Sequence, residues 1–215
     1  MGQRRTGRSS QQGMSSKARK ADQYAKWVTK HADPVKRQEA AQALGKMQFA
    51  EHVDALMEAV SDPNAEVRAR AVEALGRFKP SATAPHVVAN ALASVAGALS
   101  DNDHVVRAMS AQALTKLGPC PETHMTDLLD AMEDECFIVV SPAIQAIGKM
   151  GPAAAMHSGR IADAICDDSY CSHRYHLIKA LGNMGPKAAA HAGVLVSALH
   201  EKMKDTEERH SNVRC

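Results

Sequence analysis

The chain has 215 residues, of which 45% are hydrophobic and 23% charged, and its formal net charge is only +2. This composition fits one elongated intracellular domain, cytoplasmic or organellar. The sequence shows neither a secretory signal nor an apolar run near the roughly 20 residues that a membrane span needs. The five cysteines form no Cys-x-x-Cys pair, which argues against a paired thiolate metal site and indicates reduced thiols.

Residues 1–21 form a basic arm that we expect to lack a core of its own. The arm carries no acidic residue and is rich in Ser, Gln and Gly; its basic residues are Arg4, Arg5, Arg8, Lys17, Arg19 and Lys20. Without apolar side chains to bury, such a segment is expected to stay disordered until it binds. The rest of the chain holds 20 basic and 24 acidic residues, so the basic arm precedes a mildly acidic body.

Four interpretations of the arm stay open. It is a solvated tail, or it contacts an anionic surface, either an acidic partner protein or a nucleic acid. The start Met1-Gly2-Gln3-Arg4-Arg5-Thr6 also fits the N-myristoylation pattern, with the arginines as a second membrane signal. Finally, Arg and Ser without acids resemble an organelle transit peptide, although the amphipathic apolar face of such peptides is missing.

A capping helix is expected over residues 22–32, between the arm and the rest of the chain. Tyr24, Trp27 and Val28 stand at i, i+3 and i+4 on one face of a helix that should start after Ser15-Ser16. Trp27 is expected to cover the open end of the first structural repeat, because terminal repeats need a cap. Alternatively it anchors a partner, since Trp is enriched in binding hot spots.

The dominant pattern is an internal repeat over residues 33–205. Five times, a segment that opens with Asp leads into Ala-Leu-Gly or its equivalent. The equivalent positions, 31, 39, 33 and 34 residues apart, are Gly45, Gly76, Thr115, Gly148 and Gly182. A period in this range indicates stacked two-helix units. Asp is expected to cap each first helix, Gly and Pro to end it, and a second amphipathic helix to follow.

This repeat resembles the HEAT repeat. Val67-Arg68 before Ala74-Leu75-Gly76, the abundant alanine and only seven aromatic residues are similar to the short HEAT-like type of phycobilin lyases and of many algal and protist scaffold proteins. The tetratricopeptide and ankyrin signatures do not occur. The resemblance implies an all-α, armadillo-like fold: a right-handed α-solenoid of about five two-helix repeats, preceded by the capping helix and the arm. Residues 206–215 match the start of an incomplete sixth repeat, which implies a partner at that end or a longer chain.

The fourth unit departs from the pattern. Val140 occupies the arginine slot and Pro142 follows it, so we expect the first helix of this unit to start late or to bend. In the other units the arginines are interpreted as a structural row that pairs with neighbouring aspartates. They are Arg37, Arg68, Arg107 and Arg174.

Histidine recurs once per unit, at the expected start of each second helix. The five are His52, His86, His124, His157 and His191. Stacked repeats stand about 10 Å apart, too far for two such side chains to share a metal, so we interpret them as capping or packing residues. His173 and His176, beside Cys171, come closest to a metal cluster, but no third ligand converges on them. We therefore expect no metal site, no cofactor and no catalytic residue.

Partner contacts are expected on the arm, the cap and the longer helices. The second helices that follow His86 and His191 are about one turn longer than the others, and insertions of this kind often mark a binding face. Besides the six arm residues and Trp27, we expect contacts at Val95, Leu99, Phe137, Met203 and Lys204. The favoured function is a non-catalytic protein–protein interaction scaffold or accessory subunit of a larger assembly. The family resemblance alone suggests a phycobilin-lyase-like chaperone or enzyme as the alternative, and a nucleic-acid-associated helical-repeat protein is the third.

Overall fold

The fold consists of α-helices joined by short turns. The computed structural model describes residues 15–78, 84–118, 122–194 and 196–197, and these ranges contain ten α-helices and no strand. The helices are α1 Ser16–Lys30, α2 Pro34–Met47, α3 Val53–Ala59, α4 Ala65–Leu75, α5 Pro85–Gly97, α6 His104–Leu117, α7 Met125–Met132, α8 Phe137–Met150, α9 Ser158–Cys166 and α10 Arg174–Asn183. All-α architecture and the two-helix period are therefore confirmed.

Helix α1 caps the stack, as predicted from its apolar face. The Ser15 hydroxyl accepts a hydrogen bond from the Ala18 backbone N–H at 3.2 Å, which fixes the start of the helix. The helix packs on both α2 and α3, and Val28 on its inner face is fully buried. The helix begins at Ser16, close to the start expected after Ser15-Ser16, so the boundary between arm and cap that was expected at residue 22 lies inside α1.

The stack has two layers. The first helices of the units, α2, α4, α6, α8 and α10, pack on one another in chain order, and α3, α5, α7 and α9 form the second layer. The leucine or isoleucine of each Ala-Leu-Gly segment points between the layers, and all five side chains are buried. They are Leu44, Leu75, Leu114, Ile147 and Leu181. The core is thus one continuous seam shared by all five units.

The glycine of Ala-Leu-Gly ends the first helix at Gly76, the C-cap of α4, but not in every unit. Gly45 and Gly148 lie inside α2 and α8, and their role is close approach of neighbouring helices. A Cβ on Gly45 would stand 2.7 Å from the Ala74 Cβ of α4. The later glycine of each Gly-Pro pair does turn the chain after α8 and α10, with φ of +54° at Gly151 and +69° at Gly185.

Helix α8 does not start late, despite Pro142. It begins at Phe137, three residues before the Val140 slot, just as α6 begins three residues before Arg107. Val140 and its neighbour Val139 are buried and hold this first turn against the core. Pro142 removes one N–H, so the Ile138 carbonyl loses its usual partner within the helix.

One stretch of the described chain, Phe137–Cys166, is apolar and long enough to cross a membrane, judged by length and composition only. It comprises α8, a 3₁₀ segment over Gly151–His157, and α9. Half of its most apolar window is buried in the repeat stack, as in the core helices of soluble proteins. The stretch is therefore weak evidence for a membrane span.

Candidate interaction surface

Three arginines join consecutive units in a regular array, which we call the Arg–Asp ladder: Arg37–Asp62, Arg68–Asp101 and Arg107–Asp134. Each arginine, near the start of a first helix, binds both carboxylate oxygens of the aspartate that opens the next unit, with N–O distances of 2.6 to 2.9 Å. Its Nη1 also donates to backbone carbonyls just before its own helix. The predicted structural pairing is confirmed for these three units.

Burial and hydrogen bonding compete at the ladder aspartates, and the hydrogen bonds prevail. At Asp62 and Asp101, partial burial would raise the pKa of the carboxyl, but the paired arginine and a backbone N–H two residues on hold it below the ordinary value. At Asp134 the hydrogen bond from Arg107 is the largest effect and also lowers the pKa. The aspartates therefore favour the folded state only while they are ionised.

The ladder stops between the fourth and fifth units. Val140 stands where an arginine would reach forward. The aspartate that opens the fifth unit, Asp168, is exposed, and its neighbour Asp167, also exposed, accepts a hydrogen bond from the Ser169 backbone N–H at 2.8 Å. Arg174 of the fifth unit lies 3.3 Å from Asp168, at the beginning of its own unit. The last described junction relies instead on contacts such as the bond from Asn183 Nδ2 to the Gly148 carbonyl at 3.0 Å.

The recurrent histidines stand at the start of the second helices in all five units, as predicted. His52, His124, His157 and His191 each end a 3₁₀ segment that leads into a second helix. His86 is instead the second residue of α5. His52 is buried, with its Nε2 3.4 Å from Asp22 on the capping helix. These residues join turns to helices, and no group of three metal-type ligands occurs among the described residues.

His173 and His176 are half-buried. Burial lowers the pKa of His173, and the neighbouring His176 lowers it further, which favours the neutral ring. Cys171 beside them is exposed. This pair belongs to the turn that leads into α10 and to the first turn of that helix.

The outer face of the first helices carries a regular basic row that was not among the predicted contacts. It consists of Lys46, Arg77, Lys116 and Lys149, each placed directly after the glycine slot of its unit and each exposed. Arg77 bonds Glu73 at 2.8 Å, and Lys116 lies 3.3 Å from the Gln112 side-chain oxygen. The signal was available in the repeat alignment, one position beyond Ala-Leu-Gly.

A groove lies between α6 and α8 on this outer face, and we call it the α6–α8 groove. Its volume is about 250 Å³, and apolar and amide side chains line it. The apolar ones are Val105, Ala108, Met109, Ile138 and Pro142; Gln112 and Gln145 are the amides, and Thr115 adds a hydroxyl. Lys116 and Lys149 stand one turn beyond these glutamines. From the sequence, Pro142 was predicted only to disturb its helix, and nothing in the repeat pattern indicated the groove.

The predicted partner contacts fare differently. The contacts predicted at Val95 and Leu99 are wrong, because these side chains are buried at 0% and 4% exposure. The extra turn of the longer second unit, Ala98–Ser100, packs against α6 and α7 instead of projecting. Phe137 is 73% exposed at the start of α8, and Trp27 is half-buried between Tyr24 and His31.

The arm residues within the described chain lie on the first turns of α1. Lys17, Arg19 and Lys20 are exposed, and the Lys17 ammonium stands 5.4 Å from the centre of the Phe49 ring. Five further predicted contacts fall outside the described residues: Arg4, Arg5, Arg8, Met203 and Lys204.

Comparison with known proteins agrees with this architecture. Residues 22–96 match the family described as HEAT repeats. No curated protein sequence matches the chain at a significant level. Among solved structures, the complex of CpcE and CpcF of phycocyanin lyase from Nostoc sp. is similar at 18% identity and a TM-score of 0.57, covering 76% of this chain and 98% of that one.

Two designed or engineered proteins are also similar. A designed armadillo repeat protein in complex with the peptide (KR)4 has 15% identity and a TM-score of 0.62, covering 83% of this chain and 90% of that one. A crystal structure of an engineered protein has 16% identity and a TM-score of 0.61, covering 83% and 85%. At these identities the structures establish the fold alone. Together with the repeat match over residues 22–96, they support a HEAT-like, armadillo-type helical repeat fold for this chain.

Proposed function

We propose that this protein is a non-catalytic scaffold, or an accessory subunit, that holds other proteins on the outer faces of its repeats. The observation that carries the proposal is the set of large apolar side chains left exposed on an otherwise well-packed stack. Phe137, Met156 and Tyr175 are 73%, 70% and 65% exposed, and all three belong to the fourth and fifth units. Phe137 and Tyr175 lie in the first turns of the neighbouring helices α8 and α10, and neighbouring exposed apolar residues commonly mark protein contacts.

The regular spacing of the units supports the same proposal. Each unit repeats the same backbone at about 10 Å, so a bound segment meets equivalent side chains at equal intervals. The designed armadillo protein with this type of fold was solved with a peptide bound. We infer an intracellular setting, consistent with the exposed thiols of Cys166 and Cys171.

The first test is mass spectrometry of the complex that co-purifies with the full chain from its native cells at mild salt. Proteins recovered in stoichiometric amounts, and released when Phe137 and Tyr175 are changed to Ser, are the expected result. A chain recovered alone, or with a bound pigment or other small molecule, would contradict the scaffold and favour a lyase-like chaperone or enzyme. Recovery with nucleic acid that is lost steeply with salt would favour the nucleic-acid alternative.

A further inference from the structure

We propose that the α6–α8 groove binds an acidic, apolar-containing segment of a partner protein. The inference rests on the scaffold function and names the surface and the chemistry of the partner. The segment would place one or two apolar side chains in the groove and its carboxylates beside Lys116 and Lys149.

The size and lining of the groove fit side chains better than a cofactor. Its volume of about 250 Å³ lies below the roughly 300 to 1,000 Å³ of typical small-molecule pockets. Val105 and Ile138 remain 40% and 36% exposed, and Met109 and Pro142 are half-buried around them. Covering these side chains would remove apolar surface from water, which stabilises a complex in proportion to the area.

Polar groups in the groove suit a peptide backbone. Gln112 and Gln145 face the groove, and their side-chain hydrogen bonds, with Lys116 and with Ser141, are long at 3.3 Å and stay within one helix. A bound segment can replace such exposed bonds with its own N–H and C=O groups at little cost. Pro142 adds an acceptor, since the Ile138 carbonyl has no amide partner four residues on.

The charge of this face selects an acidic partner. Helices α6, α8 and α10 contain no Asp or Glu, whereas they carry Lys116, Lys149 and Lys179. The neighbouring groove, between α4 and α6, is different because Glu66, Glu73 and Asp103 line it together with Arg70. Charge complementarity of this kind determines partner choice more than affinity.

A nucleic acid fits this face less well than a protein segment. DNA carries one phosphate per roughly 3.4 Å of each strand, whereas the basic row offers about one cation per 10 Å repeat. The apolar floor of Val105, Met109 and Ile138 would also stay unused by a phosphate backbone. An amphipathic acidic segment uses both features.

The test begins with a phage-displayed library of random 12-residue peptides, selected against the immobilised full chain and, in parallel, against the Ile138→Glu variant. Ile138 is partly exposed, so this variant should fold, and circular dichroism and the melting temperature check that it does. The expected result is enrichment, on the wild-type chain only, of peptides that combine Asp or Glu with Leu, Ile or Phe.

The most enriched peptide, labelled with fluorescein, then serves as the probe in fluorescence polarisation. We expect Ile138→Glu to weaken binding by at least about ten-fold, because it places a charge in the apolar floor. Lys149→Glu should weaken binding by about five- to ten-fold, and Lys149→Gln by less. The matched control is Lys46→Glu, the equivalent reversal on α2, which should change affinity by less than about two-fold.

The outcomes separate the groove from the scaffold function. Enrichment of basic peptides, or of acidic peptides whose affinity is unchanged by Ile138→Glu, overturns the groove proposal and leaves the scaffold standing. If no peptide is enriched while stoichiometric partners still co-purify with the chain, the groove proposal is likewise overturned and the scaffold stands. No enrichment and no co-purifying protein overturns both proposals. Tighter binding of an oligothymidine probe than of every selected peptide replaces the protein segment with nucleic acid.

Discussion

The glycine after Ala-Leu is predicted to control how closely consecutive units stack, and Gly45→Ala tests this. The new Cβ would lie 2.7 Å from the Ala74 Cβ and 2.8 Å from the Ala74 Cα. Carbon atoms rest at about 3.5 to 4.0 Å, so α2 and α4 must separate by about 1 Å. Overpacking of this kind costs about 1 to 3 kcal/mol, and the better helix propensity of Ala returns up to about 1 kcal/mol. We expect a net loss of about 1 to 2 kcal/mol.

Gly182→Ala is the matched control, because Gly182 holds the same repeat position in α10. No atom of the described residues would lie within 4 Å of its Cβ, so the substitution should raise the free energy of unfolding by up to about 1 kcal/mol. At Gly148 the nearest atoms stand at 3.2 and 3.3 Å from the new Cβ, and Gly148→Ala should fall between the other two. Urea unfolding followed by circular dichroism measures all three variants.

The result that would refute this reasoning is a Gly45→Ala variant as stable as the wild type, or more so. Equal destabilisation by Gly45→Ala and Gly182→Ala would also refute it, because glycine would then be needed for a reason shared by both positions. Either outcome would mean that the stack adjusts to an added methyl group without loss, unlike a close-packed core.

Three further predictions concern polar groups in the stack. Arg68→Met should lower the free energy of unfolding by about 2 to 3 kcal/mol, less than the loss of a fully buried pair, because the side chains of Arg68 and Asp101 are 17% and 12% exposed. The control is Arg70→Met: the Arg70 side chain is 44% exposed, so the loss in the same urea assay should be less than about 1 kcal/mol. The folded-state pKa of each ladder aspartate lies below the ordinary value. The ladder's contribution to the free energy of unfolding should therefore be complete above about pH 4 to 5 and fall as the pH drops below that, since the unfolded chain then binds more protons. Melting temperatures measured from pH 6 to 2.5 should decrease less steeply in Asp101→Asn than in the wild type. An identical slope would contradict the role of the ladder. Ser110→Ala should cost about 1 kcal/mol by thermal unfolding, because the buried Ser110 hydroxyl donates to the Val95 carbonyl, and an unchanged melting temperature would show that this bond contributes nothing.

Local sequence signals predicted the helices well, since each signal acts within a few residues. Asp33 and Asp103 cap α2 and α6 with side-chain bonds of 2.9 and 2.8 Å, as a residue before an amphipathic segment should. The aspartates that open later units, such as Asp101, stand three residues before the first helical residue and bind the arginine of the preceding unit instead. A sequence pattern shows that the aspartate recurs but not which of its two possible partners lies within reach.

The interaction surface was harder to predict, because exposure depends on neighbouring units. Val95 on α5 and Val105 on α6 are both apolar residues of helices, yet Val95 is fully buried and Val105 is 40% exposed. Helical periodicity marks both as apolar positions and cannot tell which one another helix covers. The row of Lys46, Arg77, Lys116 and Lys149 could have been read from the repeat, whereas its position beside an apolar groove could not.

By itself, the sequence determined the all-α repeat, its five-unit register, the capping helix and the pairing of arginine with aspartate. These properties follow from helix periodicity, capping and a repeated spacing, all of which are local or recur at equal intervals. The tertiary structure alone decided that Gly45 serves close packing, that the extra turn at Ala98–Ser100 is buried, and that Ile138 and Pro142 face Val105 and Met109 across an open groove. Each of these depends on the distance between two helices, and that distance is set by how complete side-chain surfaces fit together.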